Sequence, residues 1–260
     1  MHKAIMEASD ISFFYKDRHI LKNISLKINA AEVFSIIGPN GAGKTTLLNC
    51  LLDFIKPASG KIYLNGKPVD DYGRGDFCRI VSFVPQMHRP VFNYTVEEIV
   101  LMGKNPHLRE FAMPSQKERD EVSETLEELK ISHLKKRHYT KISGGELRMV
   151  LIARALVQAS RVIIMDEPAA HLDIKNQLDI LELIKKMAVE RKAAVVMVVH
   201  DPAHALLYSD RIMLLKDGEN VASGKPDEIV TPENLASVYG VETKIIEFEG
   251  RKIVVPIKSK

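Results

Sequence analysis

A glycine-rich segment near residue 40 combines a lysine and a hydroxyl side chain at a spacing suited to phosphate binding. It fits the phosphate-loop pattern GxxxxGK[ST] at every fixed position, and its residues are Gly38, Pro39, Asn40, Gly41, Ala42, Gly43, Lys44 and Thr45, followed by Thr46. Glycines let backbone N–H groups converge on phosphate oxygens, and the start of a helix adds a favourable dipole. We therefore predict that Lys44 reaches the β- and γ-phosphates of a nucleotide and that the Thr45 hydroxyl binds Mg²⁺.

A pair of carboxylates follows a later apolar run. Asp166 and Glu167 come directly after residues 162–165, which read VIIM. The carboxyl end of a central strand is where phosphoryl-transfer proteins place their Mg²⁺ ligand. We predict that Asp166 holds this metal through water and that Glu167 faces an attacking water as its general base or polariser.

Several classes of nucleotide enzyme share these two features, including kinases, GTPases, helicases and transport ATPases. The guanine-reading pattern NKxD does not occur in the sequence, which disfavours a GTPase. The phosphate loop and the carboxylate pair do not separate the other classes.

The residues around these motifs predict a parallel sheet. The run Val33–Ile37 precedes the phosphate loop. Like 162–165 and 194–199, it is short and mostly apolar, as expected for a strand buried on both faces. A helix is predicted from Lys44, and a longer helix over 176–190 separates the two later strands. This order repeats the βαβ pattern of a parallel sheet.

The rest of the chain predicts additions to that sheet. Alternating or apolar runs predict further strands at 4–28, 61–64, 80–84, 211–215 and 244–257. Residues 87–160 are mostly helical in pattern, and Ser115 with Glu118 forms a capping-box signature.

We therefore predict an α/β fold with a P-loop NTPase core and a mostly parallel sheet, an N-terminal antiparallel β-subdomain and an inserted helical subdomain. The chain is predicted to form one domain over 1–260. Its core is 1–86 and 161–240, its helical subdomain 87–160, and its C-terminal hairpin 241–260.

Composition limits the functions open to the chain. It has 260 residues, 45 % of them hydrophobic and 27 % charged, and a net charge of +3. This small net charge does not indicate the basic surface typical of nucleic-acid-binding proteins, so no nucleic-acid partner is expected. Cys50 and Cys78 lack metal or redox spacing. The longest apolar run, 193–199, is far short of a membrane span, and no signal segment is evident. We expect a soluble, cytoplasmic chain that reaches a membrane only through a partner.

The segment 142–146, Ile-Ser-Gly-Gly-Glu, resembles the LSGGE/Q signature of the ABC ATPase family. Ser143 and Glu146 are spaced as a capping box that begins a helix. The backbone N–H groups of Gly144 and Gly145 would then lie at the positive end of that helix, where an anion is favoured.

The other family motifs follow in the expected order and imply roles for single residues. Tyr15 resembles the aromatic residue that stacks on adenine, and Gln86 resembles the glutamine that serves Mg²⁺ together with Thr45 and Asp166. Asp173 ends the run 170–173, which looks like the D-loop of the family. His200 looks like the histidine that hydrogen-bonds the γ-phosphate and orients the attacking water.

The resemblance also implies a second copy of the chain. In the family, the signature segment (here Ser143, Gly144 and Gly145) faces the γ-phosphate held by the other subunit. Two copies would therefore enclose two ATP molecules head to tail, with Mg²⁺. The sequence departs from the usual pattern at Ile142, at Ala169 and over 147–149, where Leu-Arg-Met replaces a more polar run.

Within the family, the chain is similar to ATPase subunits of importers for iron–siderophore complexes, haem and cobalamin, and to their relatives for molybdate or tungstate. Residues 93–114 and 231–241 carry this similarity. It implies a separate integral-membrane permease, indirectly a solute-binding protein, and a peripheral position on the cytoplasmic face of the membrane. The alternatives are an export ATPase or a non-transport ABC ATPase of repair, translation or iron–sulfur assembly. The coiled-coil insertion and second nucleotide domain typical of repair and translation members do not occur.

Overall fold

The computed structural model describes residues 4–86, 88, 91–108, 112–170 and 172–257. Its strands in chain order are β1 (Met6–Tyr15), β2 (Arg18–Ile28), β3 (Val33–Ile37), β4 (Ser59–Leu64), β5 (Lys67–Pro68), β6 (Val81–Val84), β7 (Val162–Asp166), β8 (Ala194–Val198), β9 (Arg211–Lys216), β10 (Glu219–Gly224), β11 (Thr243–Phe248) and β12 (Arg251–Pro256). Its helices are α1 (Lys44–Leu51), α2 (Arg74–Ile80), α3 (Val96–Leu101), α4 (Gln116–Glu128), α5 (Gly144–Val157), α6 (Ile174–Glu190), α7 (Pro202–Tyr208), α8 (Pro226–Ile229) and α9 (Pro232–Tyr239). Short 3₁₀ segments cover Val69–Asp71, Met102–His107, Ser132–Leu134 and Tyr139–Lys141.

The central sheet has the strand order β10-β9-β3-β8-β7-β6. All its pairs are parallel except the β9–β10 hairpin. Every residue of β3, β7 and β8 is buried, because helices or a second sheet cover both faces. This explains why their sequences are continuous apolar runs. The predicted α/β fold with a mostly parallel sheet is confirmed.

A second, antiparallel sheet forms the N-terminal part, in the order β2-β1-β4-β5. Its buried side chains, such as Ile11 and Leu21, share one core cluster with Phe34 and Ile36 of β3 and with Leu47 of α1. The antiparallel β-subdomain is confirmed. Its sheet is packed on one face of the central sheet.

One predicted strand boundary, at the start of β6 in the central sheet, is wrong. Ile80 ends α2 rather than beginning a strand, and β6 begins at Val81. The helix was not predicted because Phe77 is its only buried residue, so the segment carries no helical repeat of apolar positions.

Within the described part of residues 87–160, the regular elements are the helices α3, α4 and α5 and three 3₁₀ segments, joined by turns and by an isolated bridge between Thr95 and His138. Both predicted capping boxes are present, at Ser115 and at Ser143. The apolar faces of α3, α4 and α5 join the cluster on the second face of the central sheet. The division of the chain at residues 87, 161 and 241 stays a prediction.

The C-terminal hairpin is confirmed as a separate two-stranded sheet of β11 and β12. Ile245 and Val254 pack against the core cluster that contains the apolar faces of α3, α4 and α5. The hairpin contacts α7 and α9. Among the residues that the structure describes, no helix has the length and apolar character to cross a membrane.

Candidate functional site

The phosphate loop connects β3 to α1, and its glycines are required by close backbone approaches. A Cβ atom on Gly38 would lie 2.0 Å from the Leu215 carbonyl oxygen of the neighbouring strand β9. Gly43 has φ of 102°, and a Cβ there would meet the Ile20 carbonyl oxygen at 3.0 Å. Only glycine adopts such conformations without strain. The loop is therefore held against β9 and β2 while α1 begins at Lys44.

Lys44 lies inside the loop with only 5 % of its surface exposed. Its Nζ donates to the carbonyl oxygens of Gly38 at 2.8 Å and Pro39 at 2.9 Å. Burial lowers the pKa of Lys44, and the nearby carboxylates of Glu167 and Asp166 oppose that effect. The ammonium group is thus directed to the inner side of the loop.

Asp166 is the last residue of β7 and faces the phosphate loop. Thr45 Oγ1 donates to its Oδ2 at 3.4 Å, whereas its Oδ1 is buried with no hydrogen-bond partner. Burial raises the pKa of Asp166, as does the charge of Glu167, while the Thr45 hydroxyl and Lys44 oppose the rise. A buried, unpaired carboxylate oxygen beside a hydroxyl is a donor set that suits a hard cation.

Glu167 receives contacts from two loops that are distant in sequence. Gln86 Nε2 donates to Glu167 Oε2 at 2.5 Å, and His200 Nε2 contacts Glu167 Oε1. Glu167 has φ of 49°, a left-handed conformation uncommon outside glycine. The backbone turns sharply at this residue, and the carboxylate lies between Gln86 and His200.

The meeting of these three side chains follows from the strand order. β6, β7 and β8 are parallel neighbours, so their carboxyl ends lie at one edge of the sheet. Gln86, Glu167 and His200 each come shortly after one of these ends.

A cavity of about 780 Å³ lies over this edge. Its lining residues are Arg18, Ile20, Asn40, Gly41, Gly43, Lys44, Thr45, Thr46, Gln86, Glu167, Ala170 and His200. Nine of the predicted site residues are therefore brought together here, six from the phosphate loop and the start of α1 and, beside them, Gln86, Glu167 and His200. Arg18 and Ile20 were missed, although Arg18 pairs with the predicted base-stacking residue Tyr15 across the β1–β2 hairpin.

Other predicted residues do not line this cavity. Tyr15 lies at the end of β1 with 69 % of its surface exposed. Gly38 and Pro39 contribute their carbonyl oxygens to Lys44 instead. Ala42 is buried in the core.

The signature residues also lie outside the cavity of their own chain. Ser143 caps α5 by accepting from the Glu146 N–H at 3.3 Å, and its own N–H donates to Glu146 Oε2 at 2.7 Å. Hydrogen bonds from the backbone N–H and the side chain of Ser143 to the Glu146 carboxylate lower the pKa of Glu146. None of Ser143, Gly144 and Gly145 is a lining residue of the phosphate-loop cavity.

Asp173 caps α6 and lies beside the signature. It accepts from the Asn176 N–H and Nδ2 at 2.8 Å each. A Cβ on Gly145 would be 3.7 Å from Asn176 Nδ2. His171, in the same predicted D-loop run, lies outside the described residues.

The fold and this site together define a P-loop ATPase. Nine of the twelve lining residues come from the loop after β3 with the start of α1 and from the segments that follow β7 and β8, as in phosphoryl-transfer proteins. The chain belongs to the ABC transporter family, which it matches over residues 21–170, and it is an ATP-hydrolysing subunit of that family.

Relatives cover nearly the whole chain. An uncharacterized ABC transporter ATP-binding protein of Methanocaldococcus jannaschii is 38 % identical over 99 % of this chain and 100 % of the relative. A hemin import ATP-binding protein of Gloeobacter violaceus is 34 % identical over 98 % of this chain and 95 % of the relative.

Solved structures share the fold. One is described as an inward-facing conformation of a metal-chelate type ABC transporter; its chain superposes with a TM-score of 0.87 at 29 % identity, covering 99 % of this chain and 98 % of the other. A bacterial ABC transporter cassette solved as a dimer has a TM-score of 0.76 at 30 % identity, covering 85 % and 98 %. Cassettes of this fold therefore form dimers.

Proposed function

We propose that two copies of this chain pair head to tail around two ATP molecules, and that their hydrolysis of ATP drives import of a metal chelate through a separate permease. The observation that carries the paired site is the position of Ser143, Gly144 and Gly145. They present a helix N-terminus suited to an anion, yet they do not line the phosphate-loop cavity of their own chain. A second copy can supply them to that cavity.

Each residue of the site has a defined task in this proposal. Lys44 and the loop amides bind the phosphates, and Tyr15 stacks on the base. Glu167 accepts a proton from the attacking water at a carboxylate oxygen. The water oxygen bonds to the γ-phosphorus as the bond to the ADP oxygen breaks. His200 orients this water and hydrogen-bonds the γ-phosphate.

The donor set at the end of β7 fits Mg²⁺. Asp166 offers a buried oxygen with no partner, and the Thr45 hydroxyl lies beside it. Gln86 is the third residue that we assign to the metal. Mg²⁺ typically takes one or two protein carboxylates and completes its shell with phosphates and water. When bound, it neutralises negative charge on the β- and γ-phosphates.

The importer assignment is supported by relatives and by an apolar surface. The Gloeobacter relative is named for hemin import, and the solved transporter is described as of metal-chelate type. In this chain Val91 and Phe92, just after Gln86, are 76 % and 65 % exposed, and Tyr94 is 39 % exposed. Large exposed apolar side chains in a cluster mark interaction surfaces. We assign this surface to the permease, which places the chain at the cytoplasmic face of the membrane. A solute-binding protein would deliver the chelate to the permease.

A mixing experiment tests the shared site. Lys44→Met should inactivate the phosphate side of a site and Ser143→Arg the signature side, so each variant alone is expected to be inactive. In a mixed pair one site combines the intact phosphate loop of one chain with the intact signature of the other. ATP hydrolysis should therefore return on mixing, measured by phosphate release. Mixtures that stay as inactive as either variant would contradict a site shared between chains.

The permease surface is tested by Phe92→Glu. A charge at this exposed position should prevent co-purification of integral-membrane protein from detergent-solubilised membranes of the native host, while ATP hydrolysis by the isolated chain is unchanged. Phe248→Glu is the matched control, because Phe248 is similarly exposed at 61 % but lies on the C-terminal hairpin. Retention of the same membrane protein by the Phe92 variant would assign its docking to another surface.

A further inference from the structure

Arg148 joins the helix that begins at the signature to the loop that carries Gln86. Its side chain is buried, with 7 % of the residue exposed. Nη1 donates to the Pro85 carbonyl oxygen and Nη2 to the Gln86 carbonyl oxygen, each at 2.6 Å. A planar guanidinium that bonds two successive carbonyl groups fixes both the position and the orientation of that backbone segment.

Gln86 connects this contact to the carboxylate that we assign as general base. Its backbone oxygen accepts from Arg148, while its side-chain Nε2 donates to Glu167 Oε2 at 2.5 Å. Glu167 in turn contacts His200. A shift of the Gln86 backbone therefore displaces the amide that holds one of the two carboxylate oxygens.

Arg148 is also one helical turn from the signature. Gly144 begins α5, and Arg148 follows it by four residues on the same helix face. Gly144, Arg148 and Gln86 all line one cavity of about 190 Å³. The capping box at Ser143 closes the first turn of α5, so a displacement of the signature end moves Arg148 with it.

The charge of Arg148 reaches the catalytic carboxylates as well. Burial lowers the pKa of Arg148, and the charges of Asp166 and Glu167 oppose that effect. An arginine stays protonated in proteins. Its two hydrogen bonds go to neutral carbonyl oxygens, so the guanidinium holds the loop through these bonds while its charge acts on the carboxylates through space.

We propose that Arg148 is a positioning residue, which transmits occupancy of the signature end of α5 to Gln86 and through it to Glu167. This rests on the proposed function, since the group that would occupy the signature end is the γ-phosphate held by the second copy. The proposal gives a role to the run 147–149, in which the sequence departs from the usual ABC pattern.

Arg148→Met removes both donors and keeps an unbranched side chain in the buried space. We expect kcat for ATP hydrolysis to fall about 10- to 100-fold, the cost of slightly misplaced catalytic groups. The KM for ATP should stay within about twofold of wild type, because Lys44 and the phosphate loop are unchanged. A kcat equal to that of wild type would overturn the proposal. A large rise in KM would also overturn it, since it would show that Arg148 holds the nucleotide site as a whole.

Dimerisation separates this proposal from the proposed function. In a Glu167→Gln background, Arg148→Met should still give the dimer that depends on Mg²⁺ and ATP in size-exclusion chromatography. If the Glu167→Gln chain itself never dimerises, the paired site is wrong. If that chain dimerises and the added Arg148→Met change abolishes the dimer, Arg148 is needed to form the pair and the positioning role is wrong.

Two further variants control for folding and for charge. Arg137→Met removes an exposed arginine in the same helical part, whose Nη2 donates to the Lys141 carbonyl oxygen at 2.8 Å, and it should leave kcat unchanged.

Arg148→Lys keeps the buried charge but offers an ammonium group in place of a planar fork. Its kcat should lie between those of wild type and Arg148→Met, and wild-type kcat in the Lys variant would overturn the two-carbonyl contact as the cause.

Discussion

Glu167→Gln is expected to slow ATP hydrolysis about 10²- to 10⁴-fold, the usual contribution of a positioned general base. The substitution keeps the size of the side chain and removes the carboxylate that can accept a proton. Lys44 and the phosphate loop are unchanged, so ATP should still bind. Because the γ-phosphate is not removed, the variant should elute as a dimer with Mg²⁺ and ATP in size-exclusion chromatography, whereas wild type turns over and stays mainly monomeric.

The control for this prediction is Glu182→Gln, the same chemical change at an exposed position of α6. It should hydrolyse ATP at the wild-type rate and show no stabilised dimer. If Glu167→Gln hydrolyses ATP as fast as wild type and remains monomeric, Glu167 is not the general base, and the head-to-tail pair loses its main support.

Lys44→Met is expected to weaken ATP binding about 10- to 100-fold, since hydrogen bonds from a charged donor typically contribute 1.5–3 kcal/mol. The loss has two parts. The ammonium group that would contact the phosphates is gone, and the carboxylates Asp166 and Glu167 lose a positive charge that interacts with both, so they repel the nucleotide more strongly. Calorimetric titration with a non-hydrolysed ATP analogue and Mg²⁺ measures the change in Kd.

Lys44 also gives this binding a pH dependence. Burial holds the pKa of Lys44 below its usual value, so its charge is lost at a lower pH than that of an ordinary lysine. Affinity for ATP in wild type should fall as the pH rises through that pKa, and Lys44→Met should lack this fall. Lys61→Met, which removes an exposed lysine of β4, should match wild type at every pH. An affinity unchanged by Lys44→Met would exclude Lys44 from phosphate binding.

Local sequence accounts for much of the fold. Val33–Ile37 and the run ending at Asp166 are apolar without alternation. This pattern is typical of a strand covered on both faces. Ser143 and Glu146 lie three residues apart, which is sufficient to close a capping box. By contrast, α2 was missed because one buried side chain leaves no periodic signal.

Some residues of the nucleotide site could likewise be predicted from local sequence, and others could not. The phosphate loop could be predicted because its ligands are consecutive backbone amides, whose arrangement depends on local glycines. Arg18 and Ile20 could not be predicted, because only the packing of β2 against Gly43 brings them to the cavity. The position of the signature residues outside that cavity is likewise a property of the packed chain.

The sequence by itself therefore determined the kind of chemistry: a loop for phosphates, a carboxylate pair at a strand end, and the order of motifs that places the chain among ABC ATPases. Only the tertiary structure decided which side chains meet. Gln86 and Glu167 are 81 residues apart, and Arg148 reaches the Gln86 carbonyl across 62 residues. Such contacts arise from the order of strands in the sheet and from the packing of α5 against that sheet. They depend on long-range packing, which no local pattern of residue types encodes.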